Sequence, residues 1–129
     1  MSATFLTAFN NIIFKFIDDL INTFPEEDDF KVYKQTLTLL KSANAKKMCI
    51  LFKNYSYGYR DKIKNRDESF FISNNYDDLR KASSNTFDDD SVSAIINKLK
   101  LYWTELSDDN KEQIWKYLNT MIQLSDLVQ

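Results

Sequence analysis

The stretch TFLTAFNNIIFKFIDDLINTF, residues 4–24, repeats a bulky apolar side chain every three or four positions. This period matches one turn of an α-helix, so these side chains share one face. Pro25 ends the pattern, because a proline pushes the residue before it away from helical geometry. The sequence therefore predicts a long amphipathic N-terminal helix. The side chains on its apolar face are Phe5, Phe9, Ile12, Ile13, Phe16, Leu20 and Phe24.

The apolar face of this helix is wider than a single stripe, because Phe14, Ile17 and Ile21 extend it. A helix that is apolar over much of its circumference is buried in a core or covered by a partner. We therefore expect this helix to be central or to contact another molecule. Ser2 or Thr4 can cap its start by accepting a backbone N–H bond.

Further stretches of the chain carry the same helical period. Residues 25–44 place Pro25 at a first helical position, followed by four acids that complement the positive end of the helix dipole. A third helix starts near Asn44 and ends or kinks at Gly58, and two more cover residues 90–106 and 107–128. Ser107 is the predicted cap of the last helix, which folds back on its neighbour as an antiparallel pair. The sequence predicts an all-α bundle of five to six helices.

Composition favours one water-soluble domain covering residues 1–129. The chain is 43% apolar and 28% charged, and its longest apolar run is far shorter than the roughly 18 residues of a membrane span. The N-terminus lacks the basic region and cleavage site of a signal peptide, so we expect an intracellular protein that is not secreted.

Cys49 is the only cysteine and is predicted to be buried. Residues 73–90, rich in Ser, Asn and Asp, are predicted to form a long polar connection.

The sequence offers little catalytic chemistry. Histidine is absent and cysteine occurs once, which argues against a zinc site and removes the commonest general base. No glycine-rich phosphate loop is present, and the acids in DDDSV, residues 88–92, lack the glycine and glutamate of a calcium loop. Paired acids such as Asp18 and Asp19, or Glu26 and Glu27, could act as acid and base in a cleft. Adjacent helical residues point about 100° apart, however, and the helix dipole alone favours acids at a helix start. We therefore predict a protein that is not an enzyme, with no catalytic residue, cofactor or metal.

The motif NRDESFF, residues 65–71, is the densest mixture of polar and aromatic groups. Asp67 can cap a short helix from which Phe70 and Phe71 reach the core, and Arg66 lies outside the cap, where it can pair with a carboxylate. A reactive cluster is the alternative, but a cap with an ion pair explains the same residues. We predict a structural motif made of Asn65, Arg66, Asp67, Phe70 and Phe71.

The segment of residues 46–66 contains seven bases and one acid, Asp61. Cations bind phosphates and flat rings stack on unpaired bases, so this mixture is typical of a nucleic-acid or partner contact. The alternative is that the aromatic residues Phe52, Tyr55, Tyr57 and Tyr59 belong to the core and that nearby acids neutralise the bases. The candidate contact residues are Lys46, Lys47, Lys53, Arg60, Lys62, Lys64 and Arg66.

Four quoted segments resemble small uncharacterised helical proteins encoded by nucleocytoplasmic large DNA viruses of protists. They are FNNIIFKFIDDLINTFPEE, LLKSAN, NRDESFF and KLYWTELSDDNKEQIWKYLNTMIQL. The resemblance implies a viral setting, in host cytoplasm or virion, and carries over no functional residue. We expect a non-enzymatic viral protein that acts through protein–protein contacts, by self-association or with a virion or host partner. The alternative is a nucleic-acid-binding accessory protein that uses residues 46–66.

Overall fold

The structure, a computed structural model, describes residues 2–72 and 91–128. Within these two ranges every regular element is helical and no strand occurs, so the predicted all-α fold is confirmed. The polar connection predicted at residues 73–90 lies outside the described residues. The helices are α1 (Ser2–Thr23), α2 (Asp28–Ala43), α3 (Lys47–Ser56), α4 (Arg60–Lys64), α5 (Ser69–Ile72), α6 (Ser91–Tyr102) and α7 (Asp108–Leu127), with 3₁₀ turns at Tyr57–Tyr59 and Trp103–Glu105.

Helix α1 is the central element of the bundle. It packs most extensively against α7 and also contacts α2 and α3. Phe9, Ile13 and Phe16 on its inner face are fully buried, while Phe14 and Ile21 are half-buried against the same core. The wide apolar face of α1 is therefore used within the chain, with neighbouring helices on several sides. Thr4 lies inside this helix and does not cap it.

The turn between α1 and α2 differs from the sequence prediction. Pro25 is not the first helical residue, because the helical bonding of α1 continues to the Phe24 N–H and the chain needs a turn before α2 begins. Glu27 caps α2 instead, accepting the Asp29 N–H at 3.3 Å. Asp28 and Asp29 occupy the first turn, where the helix dipole favours negative charge.

Helices α3 and α4 form one nearly continuous helical segment. The predicted start near Asn44 is shifted, because Asn44 ends α2 and accepts the Lys46 N–H on its side-chain oxygen at 3.0 Å. Gly58 lies in the 3₁₀ turn that follows the end of α3 at Ser56, and α4 begins directly after this turn at Arg60. Cys49 is buried on the inner side of this segment, as predicted. We call residues 46–64 the α3–α4 segment.

The C-terminal part of the chain turns back between α6 and α7. Ser107 caps α7 by accepting the Asn110 N–H at 3.1 Å, which confirms that prediction. The rings of Trp103 and Trp115 meet edge to face across the turn, 5.4 Å apart. The predicted pair is nevertheless not the main packing contact of either helix, because α7 lies chiefly against α1, and α6 against α2 and α3. None of the helices described here is both long and apolar enough to cross a membrane.

Three buried aromatic rings pack together where α5 meets the core. Phe71 lies parallel to Trp103, with ring centroids 3.9 Å apart and planes 9° apart. Its ring also meets Trp115 edge to face at 5.1 Å. Because Phe71 is buried and touches both tryptophans, it links the short α5 to α7 and to the 3₁₀ turn that precedes α7.

Replacing Phe71 with alanine should leave a cavity between these tryptophans and lower the free energy of unfolding by about 3–5 kcal/mol. Urea unfolding followed by tryptophan fluorescence measures this change. The matched control is Tyr57→Ala, which removes a ring that is 80% exposed and should change stability by no more than about 0.5 kcal/mol. Equal effects of the two substitutions would contradict the assigned packing.

Candidate functional site

The helical period sorts the α3–α4 segment into two rows of side chains. The inner row faces the bundle and includes the buried Phe52, Ser56 and Ile63. The outer row consists of residues spaced alternately four and three positions apart, which is the spacing of neighbours on one helical face. Its members are Lys46, Ile50, Lys53, Tyr57, Arg60 and Lys64.

The outer row is a ridge of cations with an aromatic ring near its middle. The Tyr57 side chain is 80% exposed, between Lys53 and Arg60 in the row. Lys46, Lys53 and Lys64 are exposed as well. Such a ridge can contact several successive groups of an extended anionic chain.

Arg60 is held by Asp126 in the last turn of α7. Its two terminal nitrogens donate to the two carboxylate oxygens at 2.9 and 2.5 Å, a bidentate geometry. The hydrogen bond from Arg60 lowers the pKa of Asp126, and the positive charges of Arg60, Lys53 and Lys64 add to the effect. An acid at a helix C-terminus opposes the helix dipole, so these cations offset an unfavourable position. Asp126 therefore occupies the place on the outer row where an external anion would bind.

The remaining three predicted contact residues do not belong to the outer row. Lys47 is half-buried beside it, and Lys62 lies near Asp67, where its charge contributes to lowering the pKa of that carboxyl. Arg66 pairs with Glu112 of α7, donating to its two oxygens at 3.0 and 2.8 Å. The structure thus brings together four of the seven basic residues and separates the others.

Arg66 occupies an unusual backbone position at the end of α4. Its φ of 52° is left-handed, a conformation that costs a non-glycine residue roughly 1 kcal/mol. The N–H groups of Arg66 and Asp67 donate to the carbonyls of Ile63 and Lys62, which is the bonding pattern of a Schellman C-cap. Asn65 is the exposed residue at the helix end. The left-handed turn directs the chain from α4 into α5.

The rest of the NRDESFF motif attaches α5 to the bundle. Asp67 accepts the Ser69 N–H at 3.0 Å, and this bond lowers the pKa of its carboxyl. Phe70 and Phe71 are buried, and the Lys100 ammonium lies 5.0 Å from the Phe70 ring centre. These contacts are those of a helix cap and a core anchor, so the motif is architectural.

Two features that carry chemistry escaped the sequence analysis. Asp126 could have been noticed because an acid in the last helical turn is electrostatically unfavourable. The second feature is a cleft at α1 and α7 where Tyr117 donates a hydrogen bond to Asp19. Asp18, the neighbouring acid, pairs instead with Lys34 at 2.7 Å. The two adjacent acids therefore have different partners, and sequence alone gives no signal for that.

Comparison with known proteins identifies no relative. No protein-family model matches the chain, and no curated protein or solved structure matches it. Among the residues that the structure describes, no group of three or more His, Cys, Asp or Glu side chains is placed to hold a metal ion.

The Arg60–Asp126 pair should make stability depend on pH. Because the folded pKa of Asp126 is lowered, its contribution is present above the unfolded pKa, about 4, and is lost as pH falls through the folded value. Asp126→Asn should therefore reduce the free energy of unfolding at neutral pH, and the difference from wild type should shrink on acidification. Urea unfolding at several pH values measures it, with Glu26→Gln at an exposed carboxylate between α1 and α2 as the charge control. A difference that is constant with pH would contradict the pairing.

Proposed function

We propose that the protein is a non-enzymatic accessory protein that binds single-stranded nucleic acid along the outer row. The observation that carries the proposal is the exposed ring of Tyr57 between the cations of the row. Lysine and arginine attract the phosphates, and a flat exposed ring stacks on an unpaired base.

The structure distinguishes Tyr57 from the other aromatic residues of the segment. Phe52 is buried, and Tyr55 and Tyr59 are half-buried with their ring centroids 5.4 Å apart. These three rings belong to the core, as the alternative interpretation of the sequence held. Tyr57 points outward and gains nothing from the core, so its exposure favours a role in binding.

The expected affinity is modest and depends on salt. The whole chain has a net charge of −2, so attraction of a polyanion is local to the row. Three exposed lysines bound to phosphates give a slope of about −2 for log affinity against log salt on a single strand. Asp126 opposes binding by occupying Arg60.

On the sequence resemblance alone, we further propose that this binding takes place in a viral setting, in host cytoplasm or virion.

Fluorescence anisotropy with a labelled oligothymidine tests the contribution of charge. Lys53→Gln combined with Lys64→Gln should weaken binding and reduce the salt slope by about 0.7 for each lysine removed. The matched control combines Lys15→Gln and Lys31→Gln, which remove the same charge from exposed positions on α1 and α2. Equal weakening by both double variants would show that only overall charge matters, which would contradict the proposal.

The contribution of the ring is tested separately on the same oligonucleotide. Tyr57→Ala should weaken binding by about 5- to 150-fold, the range expected for loss of one stacked base. Tyr57→Phe keeps the ring and should bind like wild type. Asp126→Asn should strengthen binding, because it releases Arg60 and removes a negative charge. If Tyr57→Ala binds as tightly as Tyr57→Phe, the row does not stack on bases.

A second candidate function is self-association through α2. Leu39 is 71% exposed and Val32 is 48% exposed, and their seven-residue spacing places them on one face. Two copies of α2 packed antiparallel would cover both side chains. The exposed Asp28 of the first turn would then approach the end that carries Lys41 in the other copy, while Asp29 stays paired with Lys98 of its own chain. This charge arrangement favours a second copy of the chain as the partner.

Light scattering over a range of protein concentrations tests this candidate. Wild-type protein should show a concentration-dependent dimer, and Leu39→Glu should remain monomeric because it buries a charge in the apolar contact. Leu101→Glu, at a 50% exposed leucine on α6, is the matched control and should still dimerise. A wild-type protein that is monomeric throughout, or variants that behave alike, would exclude α2 as the contact.

A further inference from the structure

A cleft of about 160 Å³ lies between the C-terminal half of α1 and the first turns of α7. Its walls combine apolar side chains with hydrogen-bonding groups, the mixture found in small-molecule sites. The volume is close to that of an engineered cavity of about 150 Å³ that binds benzene. The lining includes Phe16, Asp19, Asn22, Gln113, Ile114 and Tyr117.

Among the residues that the structure describes, Asp19 is the only charged one that lines the cleft. Tyr117 donates its phenolic hydrogen to this carboxylate. Burial of the phenol, together with this hydrogen bond, raises the pKa of Tyr117 to about 12, so it stays a neutral donor at physiological pH. The cleft therefore holds one carboxylate, and the hydrogen bond from the Tyr117 phenol fixes its orientation.

No lysine or arginine in the described part of the chain forms an ion pair with Asp19. The neighbouring Asp18 does form an ion pair, with the Lys34 ammonium at 2.7 Å. Because adjacent helical residues point about 100° apart, the Lys34 ammonium lies on a different side of α1 from Asp19. Asp19 thus remains half-buried in the cleft with one hydrogen-bond donor and no compensating charge within the described residues.

Two aromatic rings line the cleft together with the Asp19 carboxylate. The rings of Phe16 and Tyr117 are 5.3 Å apart and tilted by 39°. Ring faces attract organic cations, and more strongly where water is partly excluded. The side-chain amides of Asn22 and Gln113 lie in the same lining and can accept further N–H bonds.

We propose that the cleft between α1 and α7 is a binding site for a small organic ammonium ion. The ammonium group would pair with Asp19, and the organic part would lie against Phe16, Ile114 and the ring of Tyr117. This site is separate from the outer row, and it does not depend on nucleic-acid binding.

An NMR titration of the isotope-labelled full chain with benzylamine tests the proposal. Benzyl alcohol and benzoate serve as neutral and anionic probes of similar size. Benzylamine should give saturable shifts of amides in residues 16–23 and 106–117, and benzyl alcohol should bind at least roughly tenfold more weakly. Asp19→Asn, which preserves an acceptor for Tyr117, should weaken benzylamine by a similar factor. Asp61→Asn on α4 removes an equal charge elsewhere and should bind benzylamine normally.

The proposal would be overturned by no saturable binding of benzylamine, by equal binding of benzyl alcohol, or by shifts that map outside the cleft. Equal affinity of Asp19→Asn and wild type would also overturn it. If Asp19→Asn does not fold, the comparison of the three probes on the wild-type chain decides the question.

Discussion

The buried face of α1 is the constraint on which the bundle depends. Its Phe9 ring packs against the Phe52 ring of α3, with the two ring centroids 5.6 Å apart. Its Asn10 side chain donates a hydrogen bond to the carbonyl of Ala45, just before α3 begins, at 3.0 Å. These contacts set both the position and the rotation of α3. Helices α2, α6 and α7 also pack against α3, so only the side of α3 that none of these helices covers faces outward. The exposure of the outer row is therefore a consequence of core packing.

Helix α7 sets the orientation of α4 through polar contacts along one side. Glu112 pairs with Arg66, Asn119 donates to the Ile63 carbonyl at 3.1 Å, and Asp126 pairs with Arg60. Both ion pairs are partly exposed, and pairs of this kind contribute at most about 1 kcal/mol each. Their main effect is geometric, because they align α4 after the irregular turn at Gly58. Arg60, Lys53 and Lys64 all lower the pKa of the Asp126 carboxyl, so this part of the outer row extends from α3 into α4.

Features set by local sequence were predictable, and features set by distant contacts were not. The all-α fold, the Ser107 cap and the burial of Cys49 followed from helical period, capping chemistry and an apolar neighbourhood. The predicted position of Pro25, at the start of α2, was wrong. The length of the α1–α2 turn depends on the residue at which the helical hydrogen bonding of α1 ends. The partner of Arg60 is 66 residues away in the chain, so no local pattern identifies it. The exposure of Tyr57 could not be separated from the burial of Tyr55 and Tyr59 until the path through Gly58 was known.

The central claim is that packing against α1 and α7 leaves the outer row as a binding surface for single-stranded nucleic acid. The most direct measurement is an NMR map of the labelled protein with a short oligothymidine, including the aromatic signals of Tyr57. The account predicts that the shifts concentrate on the backbone of residues 46–64 and on the Tyr57 ring, and that α2 is unaffected. Shifts centred on another face, or no shifts at a saturating concentration of the oligonucleotide, would contradict it.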